Sequence, residues 1–196
     1  MSYVPLTPDE TAIVLVDHQP GVLAMVGSLP AAVVTNNAAT LARLGAELDL
    51  PLVITSTREN LEFLGTNLTE IQEAAPTAYE NRVLREGTLN AFHDPAFVDA
   101  VAATNRRTLV IAGLLTDVCL FHSVVSAVKA GYRVVVAADA SGTTTELGDA
   151  VTYDRLRDAG AEVATTYGVI FELYSDLSTE EGRRAEGVAS GSLAVA

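Results

Sequence analysis

Apolar runs alternate with amphipathic stretches along most of this 196-residue chain, and that rhythm limits the folds open to it. The runs at 11–17 (TAIVLVD), 50–56 (LPLVITS) and 108–113 (TLVIAG) are almost continuously apolar. Such runs read as strands buried on both faces of a parallel sheet. Further runs at 81–85 (NRVLR), 132–138 (YRVVVAA) and 161–165 (AEVAT) make six predicted strands. Helical patterns fill the gaps. One spans 30–48, with Pro30 in its first turn and Val33, Leu41, Leu44 and Leu48 near one face. Another follows Asp94 as cap, with Pro95 at its first position. A third spans 116–130 and stops at Gly131; a fourth spans 147–159 and stops at Gly160. The stretch 57–78 reads mostly as loop, with a short helix around 69–74. This order predicts one α/β domain over 1–196, with three αβα layers around a six-stranded, mostly parallel sheet. The last residues, 187–196, are small and uncharged apart from the terminus, and are expected to fray or to order only against another subunit.

Charge and cysteine content narrow the function. Twelve Lys and Arg against twenty-five Asp and Glu give a net charge of -13. Phosphate backbones and anionic lipid would repel such a chain, so neither nucleic acid nor membrane is an expected partner. No apolar run is long enough to span a bilayer, and no basic and apolar leader opens the sequence, which makes a cytoplasmic location the default expectation. The single cysteine excludes an intrachain disulfide and a cysteine-rich zinc site. The three histidines, His18, His93 and His122, form no metal-binding pair such as HExxH.

In open parallel sheets, sites gather at the carboxyl ends of strands near a switch in strand order. Asp17 closes the first predicted strand, Arg85 closes the third, and Cys119 follows the fourth. If Thr116 caps the helix there, Cys119 lies in its first turn, where free N–H groups and the helix dipole favour a thiolate. Asp17 could then accept the thiol proton, and Arg85 could hold the two negative groups together. Each residue also has a plainer reading: a packed core cysteine, a turn aspartate, a surface arginine.

Those residues sit in longer segments that resemble the isochorismatase-like cysteine hydrolases, and within them the YcaC-like branch. The resemblance rests on AIVLVDHQPGVL, LPLVITST, REGTLNAF, LVIAGLLTDVC, DASGTTTE and AGAEVATTYGVIFEL, and covers almost the whole chain. It implies a six-stranded parallel sheet in Rossmann-like order and an Asp, Lys and Cys triad that falls on Asp17, Arg85 and Cys119. Arg85 departs from the common Lys, although some of the branch are similar in carrying Arg; an arginine holds charge but cannot release a proton. The resemblance also implies a cis peptide at Leu114–Leu115, with the N–H groups of Leu115 and Cys119 as an oxyanion hole. Family nicotinamidases carry a metal-binding Asp and His cluster after the second strand. Here that region is TSTRENLEF, without His, so neither metal nor other cofactor is expected. Isochorismatases proper lack the cysteine, so vinyl-ether hydrolysis is not expected either.

Gln19, Asn90, Phe92 and His122 fall near the presumed site and are candidates for substrate binding; turn, core or surface roles are the alternatives. His18 should point away from the site. The expected function is metal-independent, cysteine-dependent hydrolysis of a small-molecule amide or related C–N or ester bond. The alternative is a redox-sensing or interaction protein that keeps the hydrolase fold. The resemblance further implies a homo-oligomer, of which an octamer is one form.

Overall fold

The computed structural model describes residues 4–193. Strands β1 (Thr11–Val16), β2 (Leu52–Thr57), β3 (Val83–Arg85), β4 (Thr108–Gly113), β5 (Arg133–Ala137) and β6 (Glu162–Ala164) form one sheet in the order β3-β2-β1-β4-β5-β6. All five pairings are parallel. The chain builds outward from β1 to β3, then returns beside β1 and builds the other way. The crevice that this reversal opens lies between the carboxyl ends of β1 and β4.

The helices are α1 (Pro20–Leu23), α2 (Ala31–Glu47), α3 (Thr69–Ala74), α4 (Pro76–Glu80), α5 (Pro95–Ala103), α6 (Phe121–Lys129), α7 (Glu146–Asp158), α8 (Thr166–Leu173) and α9 (Glu180–Leu193). Period-two alternation along β1 sorts them into layers. Ile13 and Leu15 join one core with Leu41 and Leu44 of α2, Ile71 of α3, Val169 of α8 and Val188 of α9. Ala12, Val14 and Val16 join the other with Phe97 and Val101 of α5, Val124 of α6 and Leu156 of α7. A third cluster, Val22, Val34, Leu64 and Leu114, closes over the carboxyl end of the sheet.

The structure corrects two expectations. On α2 the buried row is Val34, Ala38, Leu41 and Leu44, whereas Val33 is exposed. Positions 34, 38 and 41 follow the helical repeat that faces the sheet, and Val33 lies about 100° off it. The segment from 187 to 193, expected to fray or to order only against another subunit, is helical. It continues α9, whose Ala185, Val188 and Ala189 lie in the core, and the Tyr167 hydroxyl donates to the Ala189 carbonyl at 2.9 Å. Residues 194–196 of that expected tail lie outside the described residues. The Asp94 cap stands as expected, accepting from the N–H of Ala96 at 2.9 Å and of Phe97 at 3.3 Å.

Candidate active site

β1 ends at Val16 because the backbone turns at Asp17, where φ is +57°. Asp is one of the few side-chain-bearing residues that tolerate this left-handed conformation. The turn is pinned on both sides: the Asp17 N–H donates to Thr55 O at 3.0 Å, and its carbonyl accepts from Gln19 N at 2.8 Å. The Asp17 side chain is fully buried, and so is its partner, Arg85.

Arg85 ends β3 and uses its fork in three directions. Nη2 donates to Asp17 Oδ1, Nη1 donates to the Thr88 carbonyl, and Nε donates to Thr55 Oγ1 at 2.9 Å. Thr55 in turn donates to Val83 O at 2.9 Å, so β2 and β3 together set the guanidinium's angle. A lysine has no planar fork with which to satisfy all three acceptors.

Cys119 lies in a π-helical turn, Thr116–Leu120, that leads into α6. The N–H of Leu120 reaches back five residues to Leu115 O at 3.2 Å, a wide turn of the kind that recurs at functional sites. Thr116 does not cap this helix. Leu115 takes that place without a side-chain hydrogen bond, and Thr116 gives its N–H to Gly142 O at 3.0 Å. The Leu114–Leu115 peptide is cis. The 139–143 segment straps the turn from the next loop. Ser141 Oγ accepts from Gly113 N at 3.1 Å, and Thr143 Oγ1 donates to Asp117 Oδ1 at 2.5 Å. Gly113 itself allows the close approach of β4 to β1, since a Cβ there would fall 2.9 Å from the Val16 Cβ.

Asp17, Arg85 and Cys119 therefore meet in a dry site, and burial governs their protons. Burial pushes the Asp17 carboxyl above its ordinary range, against the pull of Arg85 and of hydrogen bonding from the Cys119 thiol. The Cys119 thiol is pushed far up, first by burial and then by the Asp17 charge, with Arg85 opposing. This reverses the expected thiolate at a helix N-terminus: loss of solvent and a neighbouring carboxylate outweigh the dipole. Asp17 Oδ1 is held by Arg85, whereas Oδ2 is buried with no nitrogen or oxygen donor on it, which leaves it able to take the thiol proton.

His18 packs away from this cluster. Its Nε2 lies 2.8 Å from Ala140 O, and since a carbonyl only accepts, Nε2 carries the proton. Full burial lowers its pKa to about 4. A histidine depressed in the fold but ordinary near 6.5 when unfolded destabilises the fold as the pH drops below 6.5. The unfolding free energy from urea titrations should fall by about 1.6 kcal/mol between pH 6.5 and 5 from this residue. In His18→Gln, whose amide can keep the bond to Ala140, that part of the slope should vanish; an unchanged slope would refute the assignment.

The four candidate substrate contacts are placed unevenly. Gln19 is fully buried and its amide is committed to backbone: Nε2 donates to Thr57 O at 3.0 Å and to Gly65 O at 2.6 Å, and Oε1 accepts from Thr57 N at 2.8 Å. It clamps the 58–68 loop to the sheet. Gly21 completes the clamp, for a Cβ there would lie 2.1 Å from Phe63 O. Asn90 caps the turn at Ala91–His93 and donates to Ser126 Oγ at 2.8 Å. Phe92 packs edge-on against Phe97, centroids 5.2 Å apart, in the second core. His122 is exposed on α6, with its ring against Phe121. The reading of the sequence missed Arg58, whose positive charge acts on both Asp17 and Cys119.

An open groove of about 480 Å³ lies elsewhere, between Gly45, Leu50, Pro51, Ala75, Pro76 and Asn81, and includes none of the three clustered residues. Among the described residues, no group of three His, Cys, Asp or Glu is placed to hold a metal ion, and no helix is long and apolar enough to cross a membrane.

A doubly wound parallel sheet with a buried Cys, Asp and Arg cluster at its switch point defines an α/β protein with its polar groups gathered where the strand order reverses. The chain belongs to the isochorismatase family, whose domain model matches residues 11–167. It is 37% identical over 178 residues to the probable hydrolase YcaC of Escherichia coli K12, covering 89% of this chain and 82% of the relative. The structure of YcaC from Pseudomonas aeruginosa with hexane-2,5-diol and covalent acrylamide matches with a TM-score of 0.90 at 32% identity, covering 99% of this chain and 96% of that one. The Escherichia coli YcaC structure, described as an octameric hydrolase of unknown specificity, matches with a TM-score of 0.87 at 31% identity over the full length of both. A nicotinamidase from Bacillus subtilis, 20% identical, shares the fold.

Proposed function

We propose that this protein is a metal-independent cysteine hydrolase that cleaves an amide, or a related C–N or ester bond, of a small molecule. The observation that carries the reading is the buried meeting of Cys119, Asp17 and Arg85 at the switch point. Asp17 Oδ2 takes the thiol proton as sulfur attacks the substrate carbonyl. The raised Asp17 pKa suits both halves of the cycle, since it makes the carboxylate a stronger base and its acid form easier to keep. Arg85 keeps one negative charge compensated while it moves from carboxylate to sulfur. We assign the developing oxyanion to the N–H groups of Leu115 and Cys119; those of Thr116, Val118 and Leu120 already donate to backbone carbonyls. The leaving amine or alcohol departs with the proton held by Asp17. Water then adds to the thioester, releases the acid and restores the thiol.

The covalent acrylamide in the Pseudomonas aeruginosa relative is what a reactive nucleophile in that protein would give. The octameric relative likewise supports a homo-oligomer here, which light scattering would test as a mass several-fold above the 20.5 kDa chain.

Because Cys119 is the single cysteine, an acyl adduct is unambiguous by intact mass. Short incubations with small amides and activated esters should show turnover and a trapped acyl mass, both absent in Cys119→Ala. Absence of turnover and adduct across the panel, with reversible sulfenic acid at Cys119 under peroxide, would replace this reading with the redox one.

A further inference from the structure

Among the described residues, Arg58 is a cation beside this site with no carboxylate of its own. Arg85 and Asp17 form a neutral buried pair, and Glu59, the acidic neighbour of Arg58 in sequence, is held by Arg82 at 2.9 Å and by the Ser56 hydroxyl at 2.6 Å. Among the described residues no carboxylate forms an ion pair with Arg58, and its side chain is exposed.

Its placement is fixed by the backbone. Arg58 follows the last residue of β2 with φ at +46°, and its N–H donates to Arg85 O at 2.8 Å. A non-glycine residue rarely adopts that conformation, so the turn is held by its surroundings. Here those are the Arg85 bond on one side and the Gln19 clamp on Thr57 on the other. The stem runs beside Gly87, whose Cβ position would lie 3.4 Å from Arg58 Cδ. Arg58 thus stands on an anchored turn beside Arg85, at the edge of the cluster, and its charge acts on Asp17 and Cys119. In a chain of net charge -13, Arg58 adds a positive charge beside the Asp17–Arg85 pair. An anion that reached it would find a compensating charge that bulk solvent screens only in part.

We propose that Arg58 selects substrates that carry a carboxylate or similar anionic group next to the bond that Cys119 attacks. The proposal deepens the hydrolase reading and rests on it for the word substrate. The selectivity itself can be measured without hydrolysis.

Iodoacetate and iodoacetamide alkylate the same sulfur and differ in charge. The ratio of their rates at Cys119, read by intact mass, cancels the thiolate fraction and reports the local potential. In the wild type that ratio should exceed the ratio for a free thiol. Arg58→Gln should lower it about tenfold, the effect of one charge worth roughly 1.4 kcal/mol, and Arg58→Lys should recover most of the loss. High salt should compress the wild-type ratio toward that of Arg58→Gln. A ratio unchanged by Arg58→Gln would overturn the proposal, whether or not the protein hydrolyses anything. Steady-state rates on 4-nitrophenyl acetate and the 4-nitrophenyl monoester of succinic acid separate the two readings. Turnover of both with equal kcat/KM would sink the Arg58 proposal and leave the hydrolase standing.

Discussion

Arg85→Gln should cost the fold about 3–5 kcal/mol at neutral pH, and the deficit should shrink as the pH is lowered toward 5. Arg85 is fully buried against Asp17, so its removal strands a carboxylate in a dry interior. The Asp17 pKa, already raised by burial, then rises further because the opposing cation has gone. The sign follows from linkage. A carboxylate whose folded pKa exceeds its unfolded value near 3.9 destabilises progressively as the pH climbs through the folded value. Below the unfolded value its contribution is fully retained. The variant's deficit relative to wild type is therefore smallest in acid and largest at pH 7 to 8. His18 is present in both proteins, so its own acid-side loss cancels in the comparison. Urea midpoints at pH 5, 6, 7 and 8 measure the difference directly. A deficit independent of pH would mean that the lost bonds to Thr55 and Thr88 dominate, and not the uncompensated charge. Arg85→Lys restores charge without the fork, so it should remove the pH dependence and keep part of the deficit.

The frame that supports this pair was largely legible in the sequence, and for a local reason. β1 and β4 are apolar at nearly every position because both their faces are covered, and Gly131 and Gly160 punctuate the chain where φ turns positive. Strand order at the switch point then places Asp17 and Cys119 opposite each other. What escaped was set by contacts between distant segments. Thr116 has the look of a helix cap, yet Gly142 takes its N–H and Thr143 holds Asp117, and the turn opens to a π-helical one. Those partners lie more than twenty residues away, in a segment that the sequence offers only as a signature. Gln19 looked like a ligand because it neighbours Asp17; its role as a clamp depends on Thr57 and Gly65. Nothing in the sequence singles out Arg58, since its place follows from a backbone bond to Arg85 across a strand pair. The thiol was misjudged for the same reason. Its distance along a helix can be counted in the sequence, but its burial and the charge beside it cannot.

That corrected view of the thiol leads to an expectation that a preformed thiolate would not produce. Asp17→Asn should make Cys119 easier to alkylate and the protein a far poorer hydrolase. The Asp17 charge helps to hold the thiol pKa up, while Arg85 pulls it down. With the carboxylate gone, Arg85 has no counter-charge except the sulfur, and the thiolate becomes its partner. Well below the thiol pKa, each unit of lowering raises the thiolate fraction about tenfold, so iodoacetamide labelling at pH 7 should accelerate by about tenfold or more. Hydrolysis should move the opposite way, by about 10²–10⁴-fold in kcat. An asparagine can neither take the thiol proton in the attack nor return it to the leaving group, and an idle thiolate does not replace that second step. Cys119→Ala supplies the baseline for both assays, because it removes the chain's single thiol. Two outcomes would refute the assignment. If labelling and hydrolysis fall together, Asp17 holds the thiol in position and does not carry its proton. If hydrolysis survives intact, the proton has another carrier, and the pairing of Asp17 with Arg85 is structural alone.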